Sequence, residues 1–263
     1  MPGRHRPTHP PHGIPRSQVR AYVGDVPVFG LQWRDGVLSR MAILTGVWAA
    51  LTGLVIAAGE VVTNSAEITG FDHHVTRNVV SSRTGALTSA MQAVTWLGSW
   101  VALAVAAGVV AWLVVTKRLP VLAAIVAVFA WAGEALGVRV VKEAVSRNRP
   151  PEAIWLMHAN GWSFPSGHTA AAALAFPALA LCVTVLTRRR VVRVLGWLIA
   201  ALAIAATAFS RVELGVHWTT DVIASLIFMS CWLAAIAVAF GNRLRATRNQ
   251  RLSTPTSTGP SQH

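Results

Sequence analysis

Apolar residues in this chain come in long unbroken runs, not at alternating or one-face spacing. Six runs approach the roughly 20 residues that cross a bilayer as a helix: 41–59, 98–116, 119–141, 166–187, 194–210 and 218–240. A stretch that is apolar all round for that length has no polar face to give to water, so each predicts a transmembrane helix. Pro120 falls near the start of the third run, where proline is tolerated, and Pro177 is expected to kink the fourth. Residues 61–97 are more polar, with Val75, Val79, Val80, Leu87 and Met91 at helical spacing, which predicts an extracytoplasmic segment lying partly along the membrane interface. Residues 1–38 are rich in Pro, His, Arg and Gly and residues 242–263 are polar; both read as disordered tails. The expected architecture is all-α: a polytopic six-transmembrane-helix bundle over 39–241.

Composition agrees. The chain is 54% hydrophobic and only 13% charged, where about a quarter is usual for a soluble domain. Its net charge of +13 is distributed by loop. Lys117 and Arg118, Arg188 to Arg190 with Arg193, and both tails hold most of the Lys and Arg, while Glu60, Glu67, Asp72, Glu143, Glu152, Glu213 and Asp221 occupy the alternate ends. That is the positive-inside pattern. It predicts a multi-pass protein of the cell membrane with both termini cytoplasmic, and it excludes a nucleic-acid partner as the reason for the charge. Cys182 and Cys231 lie inside apolar runs with no metal-binding spacing. His5, His9 and His12 read as part of a solvated tail.

Three polar clusters interrupt this picture, all at the expected extracytoplasmic ends of runs. The first runs from Lys142 to Pro150; Lys142 and Arg149 are seven apart, so two helical turns would bring both to one side before Pro150 ends the helix. The second is Pro165-Ser166-Gly167-His168, a helix start whose free N–H groups suit an anion, with Gly167 allowing close approach and His168 beside it. The third runs from Ser210 to Asp221. Here His217 and Asp221 stand at i and i+4, so the carboxylate can hold the ring's tautomer, and Arg211 adds fixed positive charge. Cations at membrane depth are costly unless partnered, so Lys142, Arg149 and Arg211 together imply an anionic ligand. Two histidines beside them imply phosphoryl transfer, one attacking phosphorus and the other protonating the leaving oxygen.

These clusters resemble the signature of the type 2 phosphatidic acid phosphatase superfamily, Lys-x6-Arg-Pro, Pro-Ser-Gly-His and Ser-Arg-x5-His-x3-Asp, with no departure at any motif position. The resemblance implies that His217 is the nucleophile that forms a phosphohistidine and that Asp221 orients it. It implies that His168 is the general acid and then base. Lys142, Arg149, Ser166, Gly167 and Arg211 are implied to bind the substrate phosphate, with no metal and no other cofactor. The implied substrate is a lipid phosphate or diphosphate in the bilayer: polyprenyl diphosphate such as undecaprenyl diphosphate, phosphatidate or phosphatidylglycerol phosphate. A phosphotransferase using the same residues is the alternative, then a non-catalytic carrier of anionic lipid. The related vanadium haloperoxidases share the signature in a soluble fold and do not fit six spans.

The remaining polar residues read as structural. Trp96, Trp100, Trp155, Trp162 and Trp218 read as interfacial anchors, and Arg147 as an exposed interfacial arginine. Glu134 and Arg139 are expected to pair with each other or with the phosphate clamp of Lys142, Arg149 and Arg211. His73, His74 and His158 carry no signal.

Overall fold

The computed structural model describes the backbone of residues 29–253 and the side chains of residues 36–242; the expectations for His5, His9 and His12 lie outside the described residues. The chain divides into two units, Met1–Ile43 and Leu44–His263. The described part of the first is helical. The packing and the site described below concern the second.

The element order is α1 (Phe29–Asn64), α2 (Ala66–Ser81), α3 (Gly85–Val94), a 3-10 turn (Thr95–Gly98), α4 (Trp100–Val115), α5 (Val121–Val145), a second 3-10 turn (Glu152–Ile154), α6 (Gly167–Leu186), α7 (Arg190–Glu213) and α8 (Thr219–Ser253). Among the described residues there is no strand. Among the described residues five helices are long and apolar enough to cross a membrane: Gly36–Asn64, Val121–Val145, Gly167–Leu186, Arg190–Glu213 and Thr219–Asn242. Gly85–Gly98 with Trp100–Val115, bent by 45° at the break, makes a sixth if counted as one span. Helix α1 begins at Phe29 and α8 runs to Ser253, both beyond the apolar runs and into stretches read as tails. The physical reason is that hydropathy marks only the part of a helix that suits lipid, whereas the helix itself continues until a breaker; after Gly241 the next proline is Pro255.

The segment 61–97 is helical through most of its length. Beyond the end of α1 it forms two helices and a 3-10 turn. Helix α2 is capped by Ser65, whose side chain accepts from the Ile68 N–H, and buries Asp72 and Thr76 on its inner face. Helix α3 and the 3-10 turn after it meet α4 at the 45° bend. The bend follows from Ser99, whose hydroxyl accepts from the Val101 N–H and restarts the helix in a new direction.

Helix α6 is the hub, packed against α4, α5, α7, α8 and the first 3-10 turn. Its sequence explains this. Ala170 to Ala173 and Ala175 are all buried, and small side chains let helix backbones approach closely where lipid offers no hydrophobic drive. The same logic is sharpest at Gly98. A Cβ there would lie 2.5 Å from the His168 carbonyl oxygen and 2.5 Å from a Thr207 methyl. Gly98→Ala is therefore expected to push back the start of α6, lowering both melting temperature and turnover of the purified protein. Gly108→Ala, with nothing within 4 Å, should do neither.

Candidate active site

Helix α5 carries Lys142 in its last turn and stops three residues later. Ser146 takes the left-handed conformation (φ 49°), its N–H donating to the Lys142 carbonyl at 3.0 Å and its hydroxyl to the Glu143 carbonyl at 2.9 Å. Lys142 and Arg149 are thus not two turns apart on one helix, as their spacing suggests; Arg149 stands on irregular chain beyond the cap. They converge nevertheless, because both donate to the Trp162 carbonyl. Arg149 also donates to the carbonyls of Gly161 (2.9 Å), Asn160 (2.8 Å) and Val216 (2.7 Å), and its Nη1 lies 3.2 Å from His217 Nε2. Burial draws the Arg149 guanidinium below its ordinary pKa against the opposing pull of Asp221.

Ser166 precedes helix α6 but does not cap it by side chain: its hydroxyl is within 3.0 Å of Thr169 Oγ1, which donates to it. Its backbone N–H reaches the Asp221 carbonyl at 3.2 Å, and its own carbonyl accepts from Ser225 Oγ at 3.0 Å, tying α6 to α8. The first N–H groups of α6, from Gly167 onward, have no intrahelical acceptor. His168, half-buried, lies within reach of the fields of Arg211, Arg149 and Lys142. It also lines a cavity of about 550 Å³ whose other walls include Trp96, Trp100, Leu103, Leu156 and Met157.

Arg211 closes α7 and is 2% exposed. Its Nη1 donates to Thr95 Oγ1 at 2.5 Å and faces Met157 Sδ at 3.0 Å, while its Nε has no partner. The chain then turns through Gly215, at φ +74°, where a Cβ would also collide with the Ile154 carbonyl. Arg83 pins this turn, donating to the Glu213 carbonyl at 2.8 Å and to the Ile154 carbonyl at 3.0 Å, and Thr88 donates to Glu213 Oε1 at 2.7 Å. Burial lowers the Arg83 pKa, with Glu213 opposing.

His217 sits just before α8, not within it. Asp221, in the first turn, reaches back so that its Oδ2 accepts from the Trp218 N–H at 2.9 Å, the acidic half of a capping box. The same oxygen lies 3.3 Å from His217 Nδ1 and accepts from Ser163 Oγ. Arginine can only donate, so the Arg149 contact makes His217 Nε2 the acceptor and leaves the ring proton on Nδ1, toward Asp221. Burial pushes the His217 pKa from 6.5 down to about 3; Asp221 resists, while Arg211 and Lys142 add to the fall. The ring is neutral at ordinary pH.

The sign of the resulting stability effect follows. Between about 3 and 6.5 the unfolded chain binds a proton at this histidine that the folded chain refuses. Stability attributable to His217 is therefore present above 6.5 and lost as pH falls toward 3. The melting temperature in detergent should decline over that window, and less steeply in His217→Gln.

Three expectations are corrected here. Arg147 is not an exposed interfacial residue: it is 4% exposed and ion-paired to Asp221 at 2.6 Å and Asp72 at 2.8 Å. Trp218 is not a belt residue: it is 8% exposed, lies 5.7 Å beneath the Arg147 guanidinium, donates to the Asn148 carbonyl at 2.9 Å and meets the edge of His73 at 4.7 Å. Glu134 is buried and Arg139 exposed, with no ion pair between them among the described residues. Five residues on a helix are well over a quarter-turn apart in direction, so they face different sides. Sequence reasoning also missed Asp72 and Ser163. The one available signal was an acid in the middle of the apolar spacing of 61–97; nothing local marked Ser163.

The PAP2 superfamily matches residues 121–245. Phosphatidylglycerophosphatase B of Bacillus subtilis (strain 168) is 37% identical over 90 residues, covering 32% of this chain and 42% of that protein, so the match spans less than half the relative's length. A solved structure, described as the first transmembrane PAP2 type phosphatidylglycerolphosphate phosphatase from Bacillus subtilis, superposes with a TM-score of 0.62 at 22% identity, covering 78% of this chain and 97% of that one. The two share the fold. The stretch matched by the PAP2 superfamily, residues 121–245, is the one that holds Lys142, Arg149, Ser166, Gly167, His168, Arg211, His217 and Asp221.

Proposed function

We propose that the protein is an integral-membrane phosphatase that hydrolyses a lipid phosphate at the extracytoplasmic face of the cell membrane, with both termini cytoplasmic. The observation that carries this reading is the His217 ring. It is neutral, with its Nδ1 proton turned to Asp221 and its Nε2 lone pair facing the Arg149 guanidinium, where a phosphoryl group would be held. A ring in that state is a nucleophile needing no deprotonation.

In the proposed reaction His217 Nε2 attacks phosphorus and an N–P bond forms as the P–O bond to the lipid breaks. His168 gives its proton to the departing oxygen. Water then attacks the phosphohistidine, His168 takes a proton from it, the N–P bond breaks and inorganic phosphate leaves. Lys142, Arg149, Arg211, the Ser166 hydroxyl and the free N–H groups of α6 from Gly167 onward stabilise charge on the non-reacting phosphoryl oxygens. The unsatisfied Nε of Arg211 supports this, since a buried donor without an acceptor is costly unless a ligand supplies one. The largely apolar cavity beside His168 suits the chain of a lipid whose phosphate lies at the clamp.

Phosphatidylglycerophosphate is the first substrate to test, because it is what the names of the relatives specify. Detergent-purified protein is to be assayed for phosphate release with EDTA present, against phosphatidylglycerophosphate, phosphatidate and undecaprenyl diphosphate. Release from at least one is expected; none from any would remove the reading. Transfer of phosphate to an added alcohol without free phosphate would replace hydrolysis by phosphotransfer.

A further inference from the structure

Behind Asp221 lies a buried ion-pair relay that the reaction described above does not use. Arg147 donates from Nη1 to Asp221 Oδ1 (2.6 Å) and Thr220 Oγ1 (2.8 Å), and from Nη2 to Asp72 Oδ2 (2.8 Å). Asp72 in turn accepts the Thr220 N–H at 3.0 Å and the Thr220 hydroxyl. Exposure of the three ionic side chains is 5% or less.

Such an arrangement is weak as a source of stability, because burying ions costs about what their attraction returns. Its effect on Asp221 is specific. The Oδ2 atom of Asp221 serves His217, Ser163 and the Trp218 N–H, while Oδ1 meets Arg147, so Arg147 sets the rotation of the carboxylate that aims Oδ2 at the imidazole. A lone buried arginine there would neutralise Asp221 and leave His217 without its anion. Asp72 balances Arg147, so the pair is internally neutral and the charge of Asp221 remains for the ring. Helix α2, which packs on α7 and α8, delivers that second carboxylate.

We propose that Asp72 and Arg147 are positioning residues for the His217–Asp221 pair, holding the Asp221 carboxylate in the orientation and charge state that nucleophilic attack requires. The inference rests on the catalytic reading of His217 and Asp221 given above. Neither residue is assigned a phosphate contact, so their effect belongs in kcat. The test compares Asp72→Asn, Arg147→Met and the double variant with wild type, all purified and checked for folding by size exclusion and melting temperature, on whichever lipid phosphate the wild type hydrolyses. Each single change should lower kcat by about 10-fold or more while KM moves less than about threefold, and the double should be no slower than the worse single because the two act as one unit. Should Arg147→Met fail to fold, Thr220→Val removes a hydroxyl that bonds both partners and should lower kcat several-fold at unchanged KM. Wild-type kcat in folded Asp72→Asn or Thr220→Val, a loss confined to KM, or multiplying losses in the double would overturn the inference. A wild type that releases no phosphate from any lipid overturns the catalytic reading and this one together, whereas an active wild type with unimpaired Asp72→Asn overturns this one alone.

Discussion

Glutamine at position 217 is expected to lower kcat by about 10⁴-fold or more, the scale on which loss of a nucleophile acting within a unit is felt. The expectation rests on how little else that change disturbs. Glutamine keeps an amide that can donate toward Asp221 and an oxygen that can accept from Arg149, the two groups that hold the histidine at 3.3 Å and 3.2 Å. Arg149 keeps its four carbonyl partners in either case, so the clamp stays formed. What disappears is the neutral nitrogen lone pair, and with it the means of forming the proposed N–P bond. Residual turnover would come from phosphate binding and orientation alone. The measurement is phosphate release by purified His217→Gln, paired with labelling of the protein by substrate phosphate. Near wild-type release, or a covalent label that persists, would remove His217 from its assigned role.

His168→Ala should cost roughly 10²- to 10⁴-fold in kcat, the range for loss of a positioned general acid. His168 follows Gly167 at the head of α6 and lines the cavity beside the clamp, so the oxygen joining phosphate to lipid would fall next to it. Removing the imidazole leaves the backbone N–H groups of that turn in place, because the side chain is not what starts the helix; phosphate binding, and so KM, should change little. The discriminating arm is the leaving group. An aryl phosphate expels a weakly basic oxygen that needs no proton, so the deficit of His168→Ala should shrink on such a substrate in the first step. An equal deficit on alkyl and aryl phosphates would mean that His168 acts by binding alone.

Much of this was legible from residue order, for identifiable reasons. Runs of apolar residues report on the solvent around a helix, so spans could be placed without knowing what packs on what. Motif residues were legible because their chemistry is unusual at membrane depth: three cations, two histidines and a helix-opening Ser166-Gly167 have few purposes there. The geometry carrying them was read less well. Spacing suggested that Lys142 and Arg149 share a helix face, yet Ser146 ends the helix between them, and a left-handed serine has no local signature comparable to a glycine. The pair His217 and Asp221 meets through a helix cap and not along a helix face, since α8 begins only at Thr219.

Residue order by itself determined the all-helical membrane architecture, the placing of charge at alternate loops and the choice of candidate reactive side chains. Hydropathy and local chemistry are properties of single stretches, and a chain read from one end carries them complete. Tertiary structure alone decided the partners. Arg147 and Asp72 are 75 residues apart, and a buried ion pair between them depends on α2 folding back against α7 and α8, which no local pattern encodes. The same holds for Thr95 beneath Arg211, 116 residues away, and for Gly98 against His168, where only contact between elements distinguishes an essential glycine from a permissive one.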